Sequence, residues 1–320
     1  MHRKLVVALG IFLLLMGTTV ACTPEPITTI HTASEEVAQV PLKVATPEVP
    51  DGVNPQEGAL LAHVYAAALN AAGVKAEIIK PPLNQGAVVS GVEAGSVDIV
   101  PVYSRLALSA IAPADTDVGA GDVIDALKTS LPTGIGLLDT AKTENSNVTV
   151  VTALTAEKYQ LKSLSDLGKV CEKLGMGGSA EFKVKERGLP GLGNDYNCTP
   201  KSYKALMPTL DFNDVSILWS LLRDEIQIAQ LPNSSPAIAD NSLVILSDPK
   251  GLFLSQNVVP LVAKNRVPAE VQAVLNRVSA ALNTEELANL NRLSQDRHYG
   301  DLSEVATIWL VQQGLVKASS

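Results

Sequence analysis

The chain has little with which to hold a metal: 320 residues contain four histidines and three cysteines. None of His2, His31, His63 and His298 neighbours a cysteine or an acidic pair at ligand spacing, so no metal site and no cofactor are expected. Neither G-x-S-x-G nor H-E-x-x-H occurs, which leaves a hydrolase without its nucleophile elbow or its zinc-binding helix, and no enzyme is expected. No cluster of lysine and arginine is present, and without residues 1–21 the chain keeps 23 basic and 33 acidic side chains, a formal charge of −10. That acidic balance argues against nucleic acid and against a polybasic membrane patch. Beyond residue 22 no stretch approaches 18 uncharged apolar residues, so nothing there is expected to span a bilayer.

The apolar run that does exist stands at the start. His2, Arg3 and Lys4 precede Leu5 to Met16, about a dozen residues and too few for the roughly 20 of a spanning helix, and the small residues Gly17 to Ala21 follow. Residues 1–21 therefore read as a cleavable signal peptide. Cys22 comes directly after Val20 and Ala21, and TTVAC resembles a lipobox, with Thr19 where the pattern usually has Leu. This predicts a lipid on Cys22 and an extracytoplasmic protein anchored by it to the cell membrane. Thr23 to Val40 is rich in Thr, Pro and Glu and has no helical or strand period, so residues 22–40 read as a flexible tether.

About 280 residues follow, more than one core usually serves, and two lobes are expected. Cys171 and Cys198, 27 positions apart in an oxidising compartment, are candidates for a disulfide, two unpaired buried thiols being the alternative. Short strands alternate with helical patterns: Leu42 to Ala45, Ala76 to Ile79 and Val97 to Val102 as strands, with Glu57 to Ala72 and Gly86 to Ala94 as helices between them. This β-α-β-α-β order predicts an α/β fold with mainly parallel sheets flanked by helices, its ligand at the carboxyl ends of the strands, where DIVPVY delivers Tyr103. A second α/β series runs from Asn147 to Leu231, strands are expected at Leu243 to Leu246 and Val258 to Ala263, and three helices close the chain. Asn283 with Glu286 and Asp301 with Glu304 stand at capping-box spacing, and Gly314 ends the last helix.

The segments VYAAALNAAGVKAEIIKPPL, GSVDIVPVY, ALTAEKYQLKSLSDL, RGLPGL, SSPAIADNSLVILSDPKGLFLSQNVVPLV and NTEELANLNRL resemble, in order and spacing from Leu42 to Leu315, the substrate-binding proteins of osmoprotectant ABC importers. These are the quaternary-amine binders of the OpuAC/ProX type, for glycine betaine, choline and carnitine. The resemblance implies a two-lobed periplasmic-binding-protein fold, a type II Venus flytrap, with residues 41–146 and 234–320 in the first lobe and 147–233 in the second. It implies a monomer that captures a small solute in the cleft and delivers it to an ABC permease and its ATPase. An exported scaffold or adhesin, or the same fold binding another small polar solute, are the alternatives.

A quaternary ammonium has no hydrogen to donate, so it is held by aromatic faces, each contributing about 0.5 to 2 kcal/mol. Carried over residue by residue, the resemblance makes Tyr103, Lys185, Asn147, Asn233, Ser234, Gln85, Glu57, Gln256 and Asn257 the expected ligand-binding set. Tyr103 keeps the ring of the relatives' P-E-Y-x-G-T, although Val102, Arg105 and Leu106 depart from it. Asn147 stands where many relatives have Tyr, Pro232 and Asn233 where they have F-S-T-D, and Gln256 before Asn257 where they have Y-N. Lys185 replaces an Arg, Gln85 a Thr, and Glu57 matches a recurring Glu. The expected cleft is more polar and less aromatic than a betaine cage.

Overall fold

The computed structural model describes residues 26–30, 40–113, 118–207, 216–296, 298–299 and 301–317. Cys22 and the apolar start lie outside the described residues, as does most of 22–40. Among the described residues, no helix is long and apolar enough to cross a membrane.

The strands form two five-stranded sheets. The first contains β1 (Leu42–Pro47), β2 (Ala76–Leu83), β3 (Ile99–Tyr103) and β4 (Ile135–Leu137), and the second contains β5 (Asn147–Val151), β6 (Gly175–Gly178), β7 (Ser202–Ala205), β8 (Ile228–Pro232) and β9 (Val244–Ile245). With β10 (Val258–Ala263) back in the first sheet, the spatial orders are β2-β1-β3-β10-β4 and β7-β6-β8-β5-β9.

Each lobe buries its sheet on both faces. In the first, Leu42, Val44, Ile99 and Val262 pack with residues of the helices Gln56–Ala71, Ala269–Ala281, Thr284–Ser294 and Leu302–Gln312. On the opposite face, Ala45, Val100 and Leu261 pack against Gln85–Glu93, Ser104–Ile111 and Ala120–Ser130. Covered on both sides, β3 and β10 are buried at every position, which is why their sequences are unbroken apolar runs and not alternating ones. The second lobe repeats the plan: one core joins Val151, Met176 and Ile228 to Leu164, Leu192 and Leu252, and the other joins Val150, Ala229 and Leu231 to Ile217 and Leu221.

The sheets are mixed, where mainly parallel ones were expected. β1 pairs in parallel with β2 and β3, but β10 runs antiparallel to both β3 and β4. Likewise β6 is parallel to β7 and β8, whereas β5 is antiparallel to β8 and β9. The reversed strands are the two by which the chain arrives from the other lobe. They enter at the hinge side and therefore run against strands that end there.

The return to the first lobe also differs from the expected position at Asn233. Val244 and Ile245 pair with Val151 and Val150 of β5. Ala237 and Leu243 lie in the second lobe's core, and the chain recrosses at Gln256, whose backbone bonds that of Asn145 in both directions at 2.8 and 2.9 Å. A short apolar run such as 243–246 needs a strand edge to pair with, and its residues do not say which sheet supplies it.

Helix ends follow the expected chemistry: Asn283 accepts from the Glu286 amide, Asp301 accepts from those of Ser303 and Glu304, and Gly314 adopts φ +68° after the last helix. Cys171 and Cys198 are joined in a disulfide that brackets the helix Leu189–Tyr196. That helix was not among the expected elements, and Pro190 stands in its first turn, where a missing N–H leaves no intrahelical bond unmade.

Candidate functional site: the hinge and the contact between the lobes

Helix Gln56–Ala71 follows β1 after the loop of residues 48–55, and Glu57 in its first turn is completely buried. An acid there is favoured by the helix dipole, but among the described residues no cation pairs with it. Its Oε1 accepts from the Tyr103 hydroxyl at 2.5 Å and the Asn145 amide nitrogen at 3.2 Å. Its Oε2 accepts from the Ser234 hydroxyl at 2.9 Å and from Asn291 at 2.5 Å. Four donors fill the acceptor positions of the carboxylate. Burial raises the Glu57 carboxyl above its ordinary value, and the bonds from Tyr103, Asn291 and Ser234 oppose that rise. Burial and then the neighbouring Glu57 push the Tyr103 phenol well above its ordinary range, so it keeps its proton and donates it.

These contacts connect parts of the chain that are far apart in sequence: the end of β3, the first crossing at Asn145, the segment after β8 and the helix Thr284–Ser294. Glu57 and Tyr103, expected against the solute, thus meet each other inside the hinge. Tyr103 is 1 % exposed and its ring belongs to the first lobe's core.

Other residues of the expected set stitch the same hinge. Asn233 donates its backbone N–H to the Ser146 carbonyl at 3.0 Å, accepts from the Ser146 amide at 3.2 Å, and donates its side-chain nitrogen to Glu144. Gln256 accepts from the Leu106 amide at 3.2 Å, and Arg105 donates to the neighbouring Ser255 carbonyl at 3.1 Å. The departures at Arg105 and Leu106 and at Gln256 are therefore neighbours across the return crossing. Asn257 donates to the Ala141 and Thr143 carbonyls, and Ser234 also receives Asn291 on its carbonyl at 3.1 Å. Gln85 opens the helix Gln85–Glu93, and its side chain lies outside the described residues.

The lobes meet at the loop that follows β1. Asp51 accepts from the Ser179 hydroxyl of the second lobe at 2.9 Å, with the Lys185 ammonium 3.8 Å away. Lys185 is 58 % exposed at its side chain, so that ion pair is weak. Gly52, at φ +81°, lies so close to the second sheet that a Cβ there would stand 2.9 Å from the Gln230 amide nitrogen. Gln230 in turn donates to Asn147 at 2.5 Å. Ser179 follows Gly178, the last residue of β6, where the absence of a side chain admits the Tyr203 hydroxyl, which donates to the Ser179 carbonyl at 2.7 Å.

Of the expected ligand set, Lys185 and Asn147 therefore reach this contact, whereas Asp51, Gly52, Ser179, Tyr203 and Gln230 were missed. A signal existed for two of them, since Pro50-Asp51-Gly52 is turn chemistry at the carboxyl end of the first strand of an α/β lobe, where ligands are bound. The contact offers hydroxyls, amides, one carboxylate and one ammonium, which suits reversible capture of a polar solute. A groove of about 350 Å³ opens beside Gly175 and Ser202 at the other ends of β6 and β7, away from the facing lobe. Among the described residues, no three His, Cys, Asp or Glu side chains come together to hold a metal ion.

Residues 52–312 match the family described as the substrate binding domain of the ABC-type glycine betaine transport system. Solved structures agree on the fold. A glycine betaine/carnitine/choline ABC transporter structure has TM-score 0.71 at 17 % identity, covering 86 % of this chain and 99 % of that one. Apo YehZ from Escherichia coli has TM-score 0.66 at 22 % identity, covering 86 % and 99 %. Lactococcal OpuAC, closed on glycine betaine, has TM-score 0.54 at 13 % identity, covering 85 % and 96 %.

Proposed function

Since this chain belongs to the family of substrate-binding domains of ABC-type glycine betaine transport systems, we propose that it captures a quaternary-amine osmoprotectant such as glycine betaine outside the cytoplasm and delivers it to a membrane permease driven by its ATPase. The observation that carries this reading is the pair of facing lobes joined at one hinge, with Asp51 of the first touching Ser179 of the second. A solute that bridges the lobes shifts their open and closed populations only by its differential affinity for the closed form. The protein acts as a monomer held to the membrane by lipid on Cys22. That anchoring rests on the TTVAC sequence.

A second reading, capture of another small polar solute, is favoured by the composition of the contact. Of the side chains named at the contact, Asp51, Ser179, Lys185, Asn147 and Gln230 carry no ring and Tyr203 alone is aromatic, whereas a quaternary ammonium gains most from several aromatic faces. Thermal shift and titration calorimetry on the soluble body with glycine betaine, choline and carnitine decide between the two readings. A bound solute at 100 times its Kd adds about 2.7 kcal/mol. A shift with any of the three supports the first reading. Silence with all three, together with a shift from an amino acid or polyol, establishes the second.

A further inference from the structure

Within the stretch read as a flexible tether, Pro26 to Ile30 is laid against the first lobe. Ile27 donates its amide to the Leu315 carbonyl at 2.8 Å, and Ile30 donates to the Ala72 carbonyl at 2.9 Å. Both acceptors follow helix ends, Gln56–Ala71 and Leu302–Gln312, where carbonyls lack intrahelical partners. Arg277, from the helix Ala269–Ala281, donates to the Pro26 carbonyl at 2.9 Å. Ile27 and Ile30, three positions apart, pack half-buried on the first lobe's core, while Pro26, Thr28 and Thr29 between and before them are exposed. The Thr29 methyl stands 3.4 Å from where a Cβ of Gly73 would be. This is a docked segment with a defined inner side.

Its place in the lobe gives that docking a consequence. Ala72 and Gly73 precede β2, and Leu42 starts β1 beside Lys75 by donating to its carbonyl at 2.8 Å. The segment therefore lies at the amino-terminal end of β1, whereas Asp51 and the contact between the lobes lie beyond its carboxyl end, about 20 Å away at 3.3 Å per residue. Cys22 is four residues before Pro26, and whatever path the chain takes between them it spans at most about 14 Å. A free coil from Cys22 to Leu42 would instead have a root-mean-square length of about 25 Å and could extend to about 70 Å.

We propose that Pro26–Ile30 is a strap that seats the base of the first lobe on the lipid surface, so that the body stands with its cleft turned away from the membrane end of the tether. The membrane part of this inference rests on lipidation of Cys22.

Two measurements separate the strap from the anchor. In soluble Cys22→Ser protein, the Ile27 and Ile30 amides should exchange with deuterium at least tenfold more slowly than in a free peptide. The double variant Ile27→Asp/Ile30→Asp should abolish that protection without unfolding the lobes, and free-peptide rates in the parent would overturn the strap. The full-length lipidated protein is then reconstituted in phosphatidylcholine/phosphatidylglycerol vesicles carrying a rhodamine lipid. A donor dye at Lys317→Cys, beside the strap, should transfer energy several-fold better than one at Lys169→Cys on the second lobe. The two aspartates should bring these efficiencies together. Equal transfer in the parent would overturn the seating. Protein that does not associate with vesicles at all would refute the anchor, and the seating with it, leaving amide exchange to decide whether the strap is docked.

Discussion

Tyr103 donates its phenolic hydrogen to the buried carboxylate of Glu57 across 2.5 Å, and this bond joins the end of β3 to the helix that follows β1 at the point where the chain passes between lobes. The hydroxyl of this ring, which was expected to face a solute, serves the hinge. Tyr103→Phe removes one donor from a buried acceptor and keeps the ring, so it should lower stability by about 1 to 3 kcal/mol. Urea melts test this. An unchanged midpoint would mean that the ring face, and not the hydroxyl, matters.

The Glu57 carboxyl titrates above its ordinary value of 4.5 because it is buried. Between 4.5 and the raised folded value, the unfolded chain releases this proton and the folded one retains it. The contribution to stability is therefore complete below about 4.5 and is lost as pH rises through the folded value. Comparing the pH dependence of denaturant melts for the parent and Glu57→Gln should reveal this falling component in the parent alone. An identical slope in both would contradict the assignment.

Asp51→Asn weakens one carboxylate contact between the lobes, which are also bridged by Asp240 and Arg292, and Ser179→Ala removes its donor. Either variant should open the ligand-free protein, seen as a larger radius of gyration in solution scattering. Binding of any bridging solute should weaken by about 5- to 30-fold, corresponding to about 1 to 2 kcal/mol for the lost bond. A radius unchanged in both variants would show that this contact does not hold the lobes together.

Reduction, or the double variant Cys171→Ala/Cys198→Ala, removes a crosslink spanning 27 positions and should cost about 3 to 4 kcal/mol. Melting temperature should fall while circular dichroism at room temperature stays native, because both cysteines sit in a core that also contains Met176, Phe182 and Leu192.

Cys22→Ala protein should leave the membrane fraction for the soluble one, since the residue expected to carry lipid is gone. Parent protein recovered wholly soluble would defeat the anchoring reading.

Much of the first lobe was legible from local pattern. The apolar run with branched side chains at 258–263 and the capping residues Asn283 and Asp301 are signals set by nearest neighbours, and they appear in the structure as β10 and two helix starts. The site was less legible. Asn147, Asn233 and Gln256 were marked as departures from an aromatic cage, but nothing local says that Asn233 bonds Ser146 or that Gln256 pairs with Asn145. Asp51 is a turn residue by its local sequence, and only the packed second lobe gives it a partner in Ser179.

The sequence by itself determined the alternation of strands and helices, the acidic balance, the short apolar start and the availability of a cysteine pair, because each depends on residue type and spacing along the chain. Only the tertiary structure decided that the sheets are mixed, that the chain recrosses at Gln256, that Glu57 collects four donors, and that Pro26 to Ile30 is docked. Each of these joins groups tens to hundreds of residues apart. A buried carboxylate or a strand edge takes whichever partner the packed lobes bring within hydrogen-bond reach, and local sequence carries no record of that distance.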